Sequence, residues 1–283
     1  KRITDNFTNV QLLVTGSSSF ELQSNLNEPL TGRKYEYHLY PISTAELYDS
    51  QGLLPVKQMY ESRLIYGSYP DIINHTDEAK ELLMNIANSY LYKDLLAMNE
   101  IRRPILLEKL LIALALQVGS EVSYNEVAQT IGTDNKTVEK YIDLLEKCYV
   151  IFRLNAFNRN LRTELKKSKK IYFYDNGIRN AVIQNFAPLS LRQDTGALWE
   201  NFFISERIKA NHYNGNYAKS FFWRTTQQQE IDYIEEADGN FTAFEMKWNP
   251  NKRPITFPSP FLNNYPVKET VVITPENYLE WVM

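Results

Sequence analysis

Cysteine is almost missing from this chain: Cys148 is the only one in 283 residues. No internal disulfide can form, and a reducing compartment, the cytoplasm, fits such usage. Long apolar runs are missing too. Nothing approaches the ~20 residues that cross a bilayer, and no signal-peptide pattern is present, so no membrane partner is expected. The three histidines, His38, His75 and His212, have no spaced partners, which argues against zinc. No G-x-S-x-G and no Cys/His pair points to a covalent nucleophile. No G-x-x-x-x-G-K-[ST] occurs, and no apolar strand ends in the paired acids that hold Mg²⁺ beside a nucleotide. The net charge is -3, from 31 basic and 34 acidic residues. That excludes a chain coating nucleic acid through bulk charge, though a local basic patch stays open.

What is present is a folded, aromatic-rich chain with 19 tyrosines, long enough for more than one domain. The most informative stretch is Gly196 to Asn249. A helix begins near Leu198 and carries Glu200. Strands follow at Ser220 to Arg224, Glu230 to Glu235 and Phe241 to Trp248, the last two joined by an Asp238-Gly239 turn. Strand alternation puts Glu230 with Asp232, opposite Ile231 and Tyr233, and Glu245 with Lys247. With the acidic faces in register, Asp232, Glu245 and Lys247 converge, and Glu200 reaches them from the helix. Oxygen ligands such as Asp232 and Glu245 suit Mg²⁺, and a lysine beside it suits attack at phosphorus. A salt-bridged polar hairpin face has the same composition.

From Pro104 a helical unit begins, with Leu106, Leu107, Leu110, Leu111 and Leu114 on one face. Ser123 to Glu126 reads as a capping box for a second helix, and Asp134 caps a third bearing Val138, Tyr141, Ile142 and Leu145. Strands at Tyr149 to Leu154 and Lys170 to Tyr174 complete a winged-helix pattern. Lys136 and Lys140 on the third helix face outward. The intervening run holds Arg159, Arg162, Lys166, Lys167, Lys169 and Lys170. These suit salt-dependent phosphate contacts with DNA; a solvated loop or a protein-docking surface remains the alternative.

Nearer the start, Val10 to Thr15 reads as a buried strand ending in Gly16-Ser17-Ser18-Ser19, and Tyr35 to Leu39 as a second strand. Glu78 to Met98 reads as one helix.

Several of these segments resemble one family. ALWENF, FFWRTTQQQEIDY and AFEMKW resemble the C-terminal DUF4143 domain of prokaryotic AAA-type ATPases. Within them Glu200, Asp232 and Glu245-Met246-Lys247 look like the helix acid, the aspartate and the E-x-K of the PD-(D/E)xK fold. Ile231 stands where that motif commonly has proline. TGSSSFEL, LTGR and YHLYPISTAEL resemble the second half of the ATPase core, GSYPDI and SYLYKDLL its helical lid, and KIYFYDNGIRN the junction to the last domain.

The resemblance implies a multidomain α/β protein. A remnant of a P-loop ATPase core occupies 1–60, a helical lid 61–100, a winged helix 101–185 and a restriction-endonuclease-like domain 186–283. It implies that Thr15, Ser17 and Ser18 sense nucleotide; Arg33 is an arginine finger or a surface ion pair. The expected whole is a longer ATPase, this chain lacking its N-terminal phosphate-loop half and needing it to bind ATP. Two functions follow. One is a Mg²⁺-dependent DNA nuclease using Glu200, Asp232, Glu245 and Lys247. The other is an inactive module of the same fold that binds DNA or a protein partner.

Overall fold

The computed structural model describes residues 9–16, 35–91, 101, 103–157, 169–249 and 255–283. Short-range signals set most element boundaries. Ser43 and Glu46 form a reciprocal capping box at the start of α1 (Thr44–Gln51), which α2 (Leu53–Tyr66) follows. Pro70 opens α3 (Pro70–Asn74). The helix expected over 78 to 98 begins instead as a 3-10 turn, becomes α4 (Ala79–Asn85), and continues as a π-helical stretch at Ile86–Leu91. Pro104 opens α5 (Pro104–Leu116), whose leucine stripe is buried.

Next come β1 (Glu121–Val122), α6 (Tyr124–Ile131) and α7 (Asn135–Lys147). Asp134 caps α7 by accepting from the Thr137 amide at 2.9 Å. Then follow β2 (Ile151–Ala156), β3 (Lys169–Phe173) and α8 (Asn176–Val182), the last capped by Asp175. The C-terminal part runs α9 (Thr195–Tyr213), β4 (Lys219–Arg224), β5 (Glu230–Ala237), β6 (Asn240–Met246), α10 (Ser259–Asn264), β7 (Val267–Ile273) and α11 (Leu279–Val282). Asp238 and Gly239 turn the β5–β6 hairpin with φ of 50° and 80°, the positive values that favour Asp-Gly.

The seven strands among the described residues form one mixed sheet, in the order β1-β3-β2-β4-β5-β6-β7. Strands β2 and β4 join in parallel through Asn155↔Phe221 and Ala156↔Phe222. The hairpin at 151–173 and the C-terminal strands therefore share a ladder. Phe157 reinforces the joint by packing on Phe221, Phe241 and Tyr265.

The spine of the fold is α9. It packs against β3 and β6 and against α2, α8 and α11. It is buried almost all round, as a helix enclosed on several sides must be. Trp199 and Phe203 are fully buried, and the Trp199 indole N–H donates to the Ile273 carbonyl. Asn201 accepts from the Phe173 amide at 2.7 Å and donates to the Phe173 carbonyl at 3.0 Å, stitching α9 to the end of β3.

A second seam holds α1 and α2 to α9. Glu206 accepts from Thr44 at the N-terminus of α1 and pairs with Arg63 of α2 at 3.3 Å and with Lys209 at 2.8 Å. Arg63, Glu206 and Lys209 are each no more than 2% exposed. Close by, Gly67 lets the backbone pass Asp175, where a Cβ would lie 1.9 Å from a carboxylate oxygen.

The two N-terminal strands expected from sequence are corrected. Residues 10–16 and 35–40 are not strands and are largely exposed, Leu13 at 85% and Tyr35 at 89%. An apolar run becomes a buried strand only beside a neighbouring strand, and the described residues supply none.

Candidate active site

Local geometry brings the sequence-predicted carboxylates and lysine together. Strands β5 and β6 pair Tyr233 with Phe244, which sets Asp232 beside Glu245 one step further along. The Met246 amide donates to Asp232 at 3.0 Å, fixing one of its oxygens. Lys247, just past β6, closes the pair: its ammonium is 2.8 Å from Glu245 and 3.7 Å from Asp232.

A bulge aims Asp232. Ile234 stands opposite Phe221 and Ile231 opposite Trp223, so Phe222 alone faces both Asp232 and Tyr233. The strict alternation expected along this strand therefore fails. Ile231 and Ile234 enter a small cluster with Trp223, Ala243 and Phe261, while Tyr233 joins the main core. A bulge of this kind re-aims a side chain without exposing its apolar neighbours.

Glu200 arrives from α9, held in place by its neighbour Asn201. Its carboxylate accepts from Tyr172 at 2.6 Å and pairs with Lys170 at 3.2 Å. Lys170 also binds Glu230 at 2.6 Å, and Arg224 links Glu230 to Glu121 of β1. Gly119, at φ +77°, lies against the Glu200 carboxylate. Lys170, Tyr172 and Glu230 are members of this site that no sequence motif marks. The available signal was strand alternation, which places Lys170 on the same side as Tyr172.

Lys170 is a correction. It was expected to contact nucleic acid, but it is 3% exposed and neutralises two carboxylates. Lys169 is half-buried over the Tyr124 ring. Lys136 and Lys140 are exposed on α7, and Thr15 is exposed. Arg159, Arg162, Lys166, Lys167, Ser17, Ser18 and Arg33 lie outside the described residues.

The electrostatics mark one cluster. Burial, then the charge of Asp232, lift Glu200 to about 7 against the pull of Lys170 and Tyr172. Burial and Asp232 lift Glu245 to about 7 as well, against Lys247. Burial opposes the charge on Lys170, yet Glu200, Asp232 and Glu230 outweigh it and hold the ammonium above the usual lysine range. Lys247 behaves alike: burial opposes its charge, and Asp232 and Glu245 raise it.

Among the described residues, no three or more His, Cys, Asp or Glu side chains gather closely enough to hold a metal ion. The pair Asp232 and Glu245 remains. Its all-oxygen chemistry fits Mg²⁺, which takes one or two protein carboxylates and keeps water elsewhere. The Lys247 ammonium sits against both carboxylates as a cation would.

Three family models match parts of the chain: an AAA domain over residues 1–48, a domain of unknown function (DUF8612) over 57–189 and another (DUF4143) over 195–280. An AAA match at one end and a DUF4143 match at the other are features of an ATPase-related protein. The chain is 28% identical over 186 residues to an uncharacterized protein of Haemophilus influenzae, covering 62% of this chain and 46% of that one. It is 24% identical over 254 residues to an uncharacterized protein of Methanocaldococcus jannaschii, covering 83% and 54%. It is 28% identical over 131 residues to an uncharacterized protein of Mycobacterium tuberculosis, covering 46% and 29%. The chain thus spans about half the length of the first two relatives and less of the third. No solved structure matches it. Among the described residues, no helix is long and apolar enough to cross a membrane.

Proposed function

We propose that the C-terminal part of this chain is a divalent-metal-dependent phosphodiesterase acting on DNA, within an ATPase-related protein. The observation that carries the reading is the Lys247 ammonium set against Asp232 and Glu245, with Glu200 in electrostatic reach. The element order supports it: helix α9, the β4–β5–β6 meander, helix α10, and β7 parallel to β6, around an E-x-K strand. Asp232 and Glu245 would hold Mg²⁺, which would polarise a phosphoryl oxygen and acidify a bound water. Lys247 is 36% exposed, free enough to turn from the carboxylates toward a phosphate and offset charge at phosphorus. Glu200, with a proton affinity near neutrality, can exchange a proton with water or leaving group.

The helices α5, α6 and α7 with β1, β2 and β3 support a winged-helix reading, β1 pairing β3 as the third strand of a small sheet. Lys136 and Lys140 would then meet phosphates. Nucleotide sensing by Thr15, Ser17, Ser18 and Arg33 belongs to the parent ATPase, in which the cytoplasm is the expected setting.

One observation favours a second reading, an inactive module that holds DNA or a protein. Glu200 is drawn to Lys170 and Tyr172, leaving two carboxylates rather than three for a metal. The test is a cleavage assay on supercoiled and linear DNA with Mg²⁺ or Mn²⁺. Metal-dependent cleavage should fall roughly 100-fold or more in Lys247→Ala, the scale for losing one charge-stabilising donor. No cleavage by the unmutated chain, or equal cleavage by the variant, refutes the nuclease and leaves the binding module.

A further inference from the structure

Lys170 is a member of the cluster that the proposed chemistry does not use. It comes from β3, within the segment matched by DUF8612, whereas Glu200, Glu230, Asp232, Glu245 and Lys247 lie in the DUF4143 segment. Its side chain is 3% exposed, and its ammonium is 2.6 Å from Glu230, 3.2 Å from Glu200 and 5.5 Å from the centre of the Phe222 ring. A lysine is a compact point charge, and one this buried persists only where carboxylates surround it.

The charges can be counted. Glu200, Glu230, Asp232 and Glu245 face Lys170 and Lys247, while Arg224 and Glu121 cancel one another. With every carboxylate ionised, two negative charges remain, the complement of one divalent ion. Without Lys170 three would remain, and Glu200 and Glu230 would lose the ammonium they share.

We propose that Lys170 is a positioning residue that stands between Glu200 and Glu230 as a tethered cation, so that the site takes one divalent ion, on Asp232 and Glu245, rather than two. The inference rests on the metal reading above for the first ion, but not for the role of Lys170. It makes the site composite: the segment before α9 supplies the charge that sets its metal count.

The test is Mn²⁺ stoichiometry, by electron paramagnetic resonance and calorimetry on the full 283-residue chain. The expected count is one ion for the unmutated chain, two for Lys170→Met, and one for both Lys170→Arg and the double variant Lys170→Met, Glu230→Gln. A count that does not rise in Lys170→Met overturns the inference. No ion in the unmutated chain but one in Lys170→Met supports the tethered cation while refuting the metal site on Asp232 and Glu245. Should Lys170→Met be unfolded in chelator, its melting transition is measured in millimolar Mn²⁺. Recovery there supports the inference; no recovery, with the double variant folded, overturns it. An architectural lysine would change melting temperature without changing the metal count.

Discussion

Replacing Glu245 by glutamine should make the metal-free protein more stable at pH 8. Glu245 is 12% exposed and, lifted by burial and by Asp232, titrates at about 7 instead of 4.5. A carboxyl whose folded value is raised contributes stability that is complete below its unfolded value and is lost as pH rises through the folded one. By pH 8 the folded state therefore carries an ionisation cost that the unfolded chain does not. At about 1.36 kcal/mol per unit, the difference between 4.5 and 7 sets a ceiling of roughly 3 kcal/mol. Glu200, lifted in the same way, shares that repulsion through Asp232, so the two titrate together and the costs do not simply add. Glutamine keeps the shape and removes the charge. Urea unfolding in chelator should show Glu245→Gln more stable than the unmutated chain by about 1–3 kcal/mol at pH 8, with little or no gain at pH 5. The unmutated chain itself should lose stability between pH 5 and pH 8. A variant less stable at pH 8, or a gain equal at both pH values, would show that the carboxylates are relaxed in place and that no strain is stored for a cation.

Two further outcomes follow from other parts of the chain. Glu206→Ala leaves Arg63 and Lys209 buried without their shared partner, and urea unfolding at pH 7 should register a loss of about 3–5 kcal/mol. Although burial opposes its charge, Lys209 and Arg63 hold Glu206 at about 2, so its contribution is complete above pH 4.5 and fades as pH falls toward 2; a loss under about 1 kcal/mol at pH 7 would contradict the seam. Calorimetry of this chain with ATP and Mg²⁺ should detect no binding tighter than roughly millimolar, because it carries no phosphate loop, and micromolar binding would refute that inference.

How much of this was legible depends on the range of the forces concerned. Pro104, Asp134 and the Asp238-Gly239 turn each act within a few residues, and each sits where sequence reading places it. The pairing of Asp232 with Glu245 and Lys247 was legible because one hairpin carries all three. The bulge at Asp232 and Tyr233 was not, since it arises from fitting β5 against β4 rather than from a local turn residue. Lys170 misleads because its neighbours in sequence are basic while its neighbours in space are acidic. The joining of β2 to β4 rests on two residue pairs some 66 positions apart, Asn155↔Phe221 and Ala156↔Phe222, and no periodicity encodes such a contact. Val10 to Val14 and Tyr35 to Leu39 have strand-like sequences, yet strand formation depends on a neighbour that no local pattern can report.

The position of Glu200 ties the two larger matched segments together structurally. It is aimed by Asn201, which holds α9 on the end of β3, and its partners Tyr172 and Lys170 both come from that strand. A chain divided near the 3-10 turn at Leu189–Leu191 would keep Asp232, Glu245 and Lys247. It would lose the groups that hold Glu200, the ammonium on Glu230 and the strand beside β4. The C-terminal segment alone would then expose the β4 edge and carry uncompensated carboxylates, so its inactivity would say nothing about the intact site. The seam at Glu206 extends the dependence to α1 and α2. On the reading proposed above, metal binding would therefore draw on the chain from α1 onward, since Thr44 and Glu206 join α1 to the helix that presents Glu200.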